Sequence, residues 1–169
     1  PPSAVTAHRH AAHIAAASRR FGIPPAWIVA VMRGESAGDV RAVSSAGAMG
    51  LMQVMPDTWA ELRLRYGLGR DPYDPHDNIF AGTAYLREMW DRYGDIAAML
   101  AAYNAGPARY DEHRSKRRPL PAETRAYVAS LAPALRGERP STNGSAIAQP
   151  LDWREAAIFV GRDSDISSA

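Results

Sequence analysis

Residues 95–106 read DIAAMLAAYNAG, and this stretch decides the fold class. Asp95 can cap the amino end of a helix, and Gly106 is a signal that ends one. Between these two signals the residues are apolar almost all round, and a helix without a polar face is normally buried inside a globular domain. We therefore predict that residues 96–105 form the central buried helix of this protein.

Amphipathic helices are predicted on both sides of this central helix. Apolar residues recur at spacings of three and four, and no stretch alternates apolar and polar residues for long enough to indicate a strand. Proline, glycine and capping residues set the approximate bounds of each helix. They predict helices at residues 6–20, 24–36, 56–66, 76–93, 107–113 and 121–131. The sequence thus indicates an all-α fold.

The chain is long enough for one domain with a sizeable core and a short C-terminal tail. We assign residues 1–135 to that domain and residues 136–169 to a linker and tail. Gly, Pro, Ser, Thr and Asn dominate residues 136–150, and such a segment cannot bury enough apolar surface to join the core. We expect the tail to be dispensable for chemistry, and to fold back onto the domain in preference to docking on a partner. The apolar cluster behind that expectation consists of Leu151, Trp153, Phe159 and Val160.

Composition excludes several classes of function. Hydrophobic residues make up 46% of the chain, yet no window approaches the roughly 20 apolar residues that span a bilayer. The absence of cysteine excludes disulfides, thiol nucleophiles and cysteine-ligated metal sites. A formal net charge of +2 is too small to indicate a nucleic-acid partner. We interpret the basic run at residues 114–118 as a solvated loop between helices.

Three histidines near the amino end, His8, His10 and His13, raise the question of a metal site. On a helix His8 and His13 face in different directions, and the chain contains no HExxH pattern. A P-loop, a dinucleotide-binding fingerprint and a GxSxG pattern are absent as well. We therefore predict neither a metal site nor a cofactor.

Glu35 is the carboxylate in the most unusual position. It follows Val31 by one helical turn and Ile28 by two, so its side chain shares their core-directed face. Apolar surroundings and the carboxyl end of a helix both disfavour the charged form, so we expect a raised pKa. A glutamate that holds its proton near neutral pH suits general acid catalysis of glycosidic cleavage. The alternative is a glutamate that turns outward at a fraying helix end.

Three segments resemble, in order and spacing, the signature segments of family 1 lytic transglycosylases. They are Glu35-Ser36, residues 44–56 (SSAGAMGLMQVMP) and residues 102–106 (AYNAG). The similarity extends through residues 121–128 and covers roughly residues 21–132. It implies the helical fold of the SLT domain, which is similar to goose-type lysozyme. It also implies cleavage of the MurNAc-β-1,4-GlcNAc bond of peptidoglycan, with Glu35 as general acid and then as base. The expected product is a 1,6-anhydro-MurNAc end, formed without net water.

The same resemblance assigns substrate-binding roles to residues around Glu35. Ser44 matches a serine whose hydroxyl bonds the catalytic carboxyl or a substrate amide, although a loop serine can equally bond backbone. Met52 and Gln53 match residues that line the cleft, one by apolar contact and one by hydrogen bonding. For Met52, packing in the core is a competing interpretation.

Tyr103 and Asn104 match the Tyr-Asn pair of the family. The resemblance implies that the Tyr103 hydroxyl points toward the catalytic glutamate and that Asn104 fixes the backbone at the helix end. Glu123 matches a glutamate near the amino sugar or the stem peptide of the substrate. A glutamate that only stabilises the start of its helix would occupy the same position.

Two other readings of the sequence stay open. A hydrolytic muramidase would need a second carboxylate as nucleophile or to activate water. Asp39 and Asp57 lie near Glu35 in sequence, but nothing in the surrounding pattern marks either for that duty. A noncatalytic peptidoglycan-binding module could keep the same fold, although the presence of Glu35 argues against it.

In its size and general similarity, the chain also resembles the stand-alone transglycosylases that accompany conjugation and type IV secretion systems. This resemblance implies secretion or conjugation machinery as a partner besides the peptidoglycan glycan strands. We expect a monomer that works in the periplasm or elsewhere in the cell envelope.

Overall fold

The computed structural model describes residues 8–142, and helices dominate this part of the chain. The helices are α1 (Ala11–Phe21), α2 (Pro25–Ser36), α3 (Pro56–Tyr66), α4 (Pro75–Tyr93), α5 (Ile96–Ala105), α6 (Pro107–Lys116) and α7 (Ala122–Leu135). Extended pairing in the described residues is limited to isolated bridges between Val43 and Met49 and between Met49 and Val54. The prediction of an all-α fold is confirmed. In residues 8–142 no helix is both long and apolar enough to cross a bilayer.

Helix α5 is the buried centre of the fold, as its sequence predicts. Residues 98–103 are all buried, and the helix packs against α4, α6 and α7. Asp95 caps it, because its Oδ1 atom accepts a hydrogen bond from the amide of Ala98 at 2.9 Å. Capping satisfies a backbone donor that the helix cannot pair internally. The apolar helix α5 is therefore the element against which α4, α6 and α7 pack.

Most predicted helix bounds agree with the structure to within a few residues. Helix α1 ends at Phe21, next to Gly22 in the left-handed conformation, while its predicted start at Thr6 lies outside the described residues. The prediction for α6 is too short, since the helix continues to Lys116. The basic run at 114–118 is therefore not a simple loop, and its first half is the last turn of α6. Cationic side chains there complement the negative end of the helix dipole.

The loop at residues 37–55 is held to the helices by buried hydrogen bonds. Asn78 of α4 is fully buried, accepts from the amide of Met52 at 2.8 Å and donates to the carbonyl of Met49 at 2.9 Å. Gly50 has a φ of +76°, and a Cβ atom there would lie 2.5 Å from the Asn78 amide nitrogen. Ser36, at the end of α2, donates to the carbonyl of Leu51 at 2.8 Å. These bonds fix the loop against α2 and α4.

Residues 136–142, which we call the strap, return across the domain after α7. The amide of Ser141 donates to the carbonyl of Gly22 at 2.9 Å, and the Ser141 carbonyl accepts from the guanidinium of Arg87 at 2.7 Å. Arg87 is only 7% exposed, so this bond satisfies a buried charge. The first part of the segment predicted as a linker is thus tied to the helical domain. The apolar cluster at residues 151–160 lies outside the described residues.

A chain that ends at Leu135 should be less stable than one that ends at Thr142. Removing the strap leaves a buried Arg87 guanidinium without one of its acceptors, which costs about 2 kcal/mol of unfolding free energy. Denaturant titration of the two truncated proteins measures this difference. Equal midpoints would show that the strap does not stabilise the domain.

Candidate functional site

A cleft of about 710 Å³ opens where α2, the loop at 37–55, the junction of α5 and α6, and α7 meet. The structure brings six of the seven predicted site residues to its walls. They are Glu35, Ser44, Gln53, Tyr103, Asn104 and Glu123. The seventh, Met52, is not among the residues that line the cleft.

Glu35 lies in the last turn of α2, and its Oε1 atom is buried. That atom makes no hydrogen bond with any residue of the described part of the chain. Burial raises the pKa of Glu35 from 4.5 to about 7, a hydrogen-bonding interaction with the Tyr127 hydroxyl opposes the rise, and the charge of Glu123 adds to it. The expected raised pKa is confirmed, with desolvation as its main cause. Near neutral pH this carboxyl is poised to give or to take a proton.

Tyr127 of α7 is a site residue that the sequence analysis did not single out. Its hydroxyl is buried and lies near enough to the Glu35 carboxyl to lower its pKa. The Glu35 Oε1 atom and the Tyr127 hydroxyl nevertheless do not form a hydrogen bond of normal geometry. Each can therefore still form a hydrogen bond with another group. The sequence held a usable signal, because Tyr127 follows Glu123 by four residues and so shares its helix face.

Gly34 permits the close approach of α7 to α2 beside Glu35. A Cβ atom at this position would lie 2.9 Å from a methyl carbon of Leu131 and 3.3 Å from the ring of Tyr127. Any larger residue would push Tyr127 and Leu131 outward. Tyr127 is the residue whose hydroxyl interacts with the Glu35 carboxyl, so the glycine lets α7 bring that hydroxyl close to it.

The Tyr103 hydroxyl has a hydrogen-bonding partner in the loop, and its expected orientation toward Glu35 stays a prediction. It donates to the carbonyl of Met52 at 2.8 Å, and only 7% of the residue is exposed. A buried carbonyl needs a donor, and Tyr103 supplies one for the loop. Burial, together with the nearby charge of Glu35, raises the pKa of Tyr103 well above its usual value. Tyr103 thus joins α5 to the loop while its ring borders the cleft.

Met52 belongs to the core, and the prediction that its side chain lines the cleft is wrong. The residue is fully buried, and its sulfur lies 3.9 Å from the Thr83 hydroxyl. A Cβ atom at Gly82 would lie 2.4 Å from the Cβ of Met52, so the two elements are in close contact. The thioether fills the space between the loop and α4.

Ser44 and Gln53 use their side chains to shape the loop. The Ser44 hydroxyl accepts from the amide of Ala48 at 3.0 Å, which is the local bonding expected of a loop serine. The Gln53 amide donates to the carbonyls of Ala42 at 3.1 Å and Gly50 at 3.0 Å, which supports its unusual φ of +49°. Both residues border the cleft, and their contact with substrate remains a prediction.

Asn104 and Thr124 link the end of α5 to the start of α7. The Thr124 hydroxyl donates to Oδ1 of Asn104 at 2.9 Å. The expected role of Asn104 was to bond the backbone at the helix end, whereas this hydrogen bond joins its side chain to that of Thr124 on the neighbouring helix. This bond holds the first turn of α7, which carries Glu123 into the cleft.

The description "Transglycosylase SLT domain" belongs to the family model that matches residues 12–125, which is more than half of the chain. The chain belongs to this family. It is 44% identical over 93 residues to a transglycosylase of Enterobacteria phage PRD1, covering 55% of this chain and 33% of that protein. It is 38% identical over 116 residues to the membrane-bound lytic murein transglycosylase C of Glaesserella parasuis, covering 60% of this chain and 32% of that protein.

Solved structures of lytic transglycosylases share the fold of this SLT domain. An inactive mutant of the lytic transglycosylase Slt from Pseudomonas aeruginosa superposes with a TM-score of 0.67 at 32% identity, covering 75% of this chain and 23% of that one. The 70-kDa soluble lytic transglycosylase in complex with bulgecin A gives 0.66 at 29% identity, covering 74% and 23%. The predicted lysozyme-like helical fold is confirmed. This chain spans about a third or less of the length of these relatives.

Among the described residues, Glu35 and Glu123 are the carboxylates that line the cleft of this SLT domain. Asp39 and Asp57, the other acids near Glu35 in sequence, are exposed and do not line it. The Asp39 side chain accepts from the amide of Arg41 at 2.9 Å. A second carboxylate therefore comes from α7, far from Glu35 in sequence.

One group of side chains away from the cleft has the composition of a metal site, formed by Asp74, His76 and Asp77. Both of its carboxylates accept hydrogen bonds from backbone amides. Asp74 accepts from the amide of Asp77 at 3.0 Å, and Asp77 accepts from the amide of Gly69 at 2.9 Å. We assign this group a structural role at the start of α4. The cleft itself contains no histidine among its described lining residues.

Glu35→Gln should stabilise the domain increasingly as the pH rises from about 4.5 to 7. In this window the unfolded chain ionises the carboxyl while the folded protein keeps it protonated, so wild-type stability falls. The penalty is absent below the unfolded pKa and complete above pH 7, where a pKa of about 7 in place of 4.5 corresponds to roughly 3 kcal/mol. Thermal denaturation across this range measures the difference. Asp57→Asn, which removes an exposed carboxylate outside the cleft, is the control variant.

Tyr127→Phe should raise the pKa of Glu35 further, because the hydroxyl that favours the carboxylate is lost. Carbon-13 NMR of the labelled carboxyl measures this pKa directly. The matched control is Tyr103→Phe, which removes a buried hydroxyl bonded to Met52 and should destabilise the domain by about 1–3 kcal/mol. If both variants moved the Glu35 titration equally, Tyr127 would have no special relation to the carboxyl.

Proposed function

We propose that this SLT domain is a peptidoglycan lytic transglycosylase that cleaves the MurNAc-β-1,4-GlcNAc bond. The observation that carries the proposal is the Glu35 carboxyl, which is desolvated, has a pKa of about 7 and has an unpaired oxygen beside a large cleft. Membership of the family supports it. So does a solved relative that is an inactive mutant in which a glutamate is replaced by glutamine.

Glu35 acts first as the acid. Protonated near neutral pH, it gives its proton to the glycosidic oxygen, and the bond to the anomeric carbon of MurNAc breaks. The resulting carboxylate is left in a place that disfavours charge. The Tyr127 hydroxyl, which has no other partner among the described residues, then turns to hydrogen-bond the new carboxylate.

Glu35 acts next as the base. It takes the proton of the 6-hydroxyl of the same MurNAc, whose oxygen attacks the anomeric carbon and closes the 1,6-anhydro ring. The proton count balances, because the acid lost in the first step is regenerated in the second. The nucleophile and the electrophile belong to one sugar, which supplies the entropic advantage that a second catalytic carboxylate would otherwise provide.

A hydrolytic muramidase is the second candidate, and the position of Glu123 favours it. This exposed carboxylate lines the same cleft as Glu35, and its charge reaches Glu35. A general base that activates water would need such a place. We rank this function lower because Glu123 keeps an ordinary exposed setting in the first turn of α7, where it also stabilises the helix.

The setting of the reaction follows from the substrate. A domain that cuts peptidoglycan works in the cell envelope, and we propose the periplasm as its place and glycan strands as its partner. Association with secretion or conjugation machinery rests on the sequence resemblance alone, and a monomeric state remains an expectation.

Glu35→Gln should reduce release of muropeptides from sacculi by at least the roughly 10²–10⁴-fold that one general acid contributes, while binding to sacculi persists. Mass spectrometry of the wild-type products should show 1,6-anhydro-MurNAc ends. Glu123→Gln should leave the anhydro product unchanged even where it lowers the rate. Reducing MurNAc ends in the wild-type digest, lost in Glu123→Gln, would establish the muramidase instead.

A further inference from the structure

The cleft is lined by a charged side chain, Arg109, that has no ion-pair partner in the described part of the chain. Arg109, in the first turn of α6, is the one cation among the described residues that line it, and it shares the cleft with Glu35 and Glu123. It is exposed, and its guanidinium makes no ion pair or hydrogen bond with any residue in the range 8–142. Glu123, the acid of α7 that lines the same cleft, forms no ion pair with it.

The other polar side chains of the cleft wall are mostly bound to the protein itself. Ser44, Gln53, Tyr103 and Asn104 each have a hydrogen-bonding partner in the loop or in α7. The guanidinium of Arg109, by contrast, has five N–H donors and no acceptor among the described residues. Its planar geometry matches a carboxylate, which it can bind through two parallel hydrogen bonds.

The chemistry of the proposed substrate identifies where such a carboxylate comes from. The sugars of the glycan strand are uncharged, because the lactyl carboxyl of MurNAc is consumed in the amide bond to the stem peptide. The carboxylates of intact peptidoglycan therefore lie on the stem peptides. Resting on the proposed function, we infer that Arg109 binds a stem-peptide carboxylate and makes this domain selective for strands that carry peptides.

The test combines a change in the protein with a change in the substrate. On peptide-bearing strands, Arg109→Gln should lower kcat/KM about 10-fold, chiefly through KM, since the charge and the paired hydrogen bonds of the guanidinium are lost. On the same strands with their carboxyls converted to amides by carbodiimide and ammonia, wild type should fall to the level of the variant. The variant should lose nothing further there.

Matched controls separate this role from a general one. Arg125→Gln removes an exposed arginine of α7 that does not line the cleft, and should behave as wild type on both substrates. Equal loss by Arg109→Gln on untreated and amidated strands would overturn the inference. So would a defect that appears only on amidase-stripped strands, because their free lactyl carboxylate would then be the anion.

A binding measurement keeps the inference separate from the proposed reaction. In the Glu35→Gln background, adding Arg109→Gln should weaken binding to a soluble peptide-bearing glycan fragment about 10-fold. The amidated fragment should bind both proteins equally. If wild type cleaved nothing, the proposed function would fail while this comparison still decided the role of Arg109. Unchanged binding of the untreated fragment would refute that role.

Discussion

Exclusion of water from the Glu35 carboxyl is the constraint on which the rest of the site depends. A carboxylate in such a place is costly, and the free energy comes from the helical core, where α5 is buried among α4, α6 and α7. Gly34 lets α7 come close enough to α2 for Tyr127 to approach the carboxyl. The raised pKa is therefore a property of how two helices pack, and the proposed acid and base chemistry follows from that packing.

The polar groups of the cleft divide into those that build it and those that remain available. Tyr103, Gln53 and Asn104 are bonded to backbone or to neighbouring side chains, so they hold the walls in place before any ligand arrives. The Oε1 atom of Glu35 and the Tyr127 hydroxyl are buried without partners in the described chain. Preorganised walls around unsatisfied groups are what catalysis by proton transfer requires, because little reorganisation is then needed during the reaction.

Several residues of the signature segment at 44–56 serve to hold the loop in place against α4. Asn78 binds the backbone on both sides of Gly50, and Met52 fills the space beside α4. The side chain of Met52, which the resemblance assigns to substrate contact, thus packs in the core and holds the loop. This division explains why six of the residues that the resemblance assigns line one cleft while the seventh, Met52, lies in the core.

The sequence by itself determined the helical class, most helix bounds and the unusual position of Glu35. Those features follow from local rules, namely the 3.6-residue period, caps such as Asp95, and glycine stops. Tertiary structure decided which atoms meet. The bond from Tyr103 to Met52, the approach of Tyr127 to Glu35, and the tie between the strap and Arg87 all join residues that are distant in sequence. A periodic pattern shows which face of a helix is apolar, but it cannot show which hydroxyl of another helix reaches that face, because this depends on how closely the helices pack.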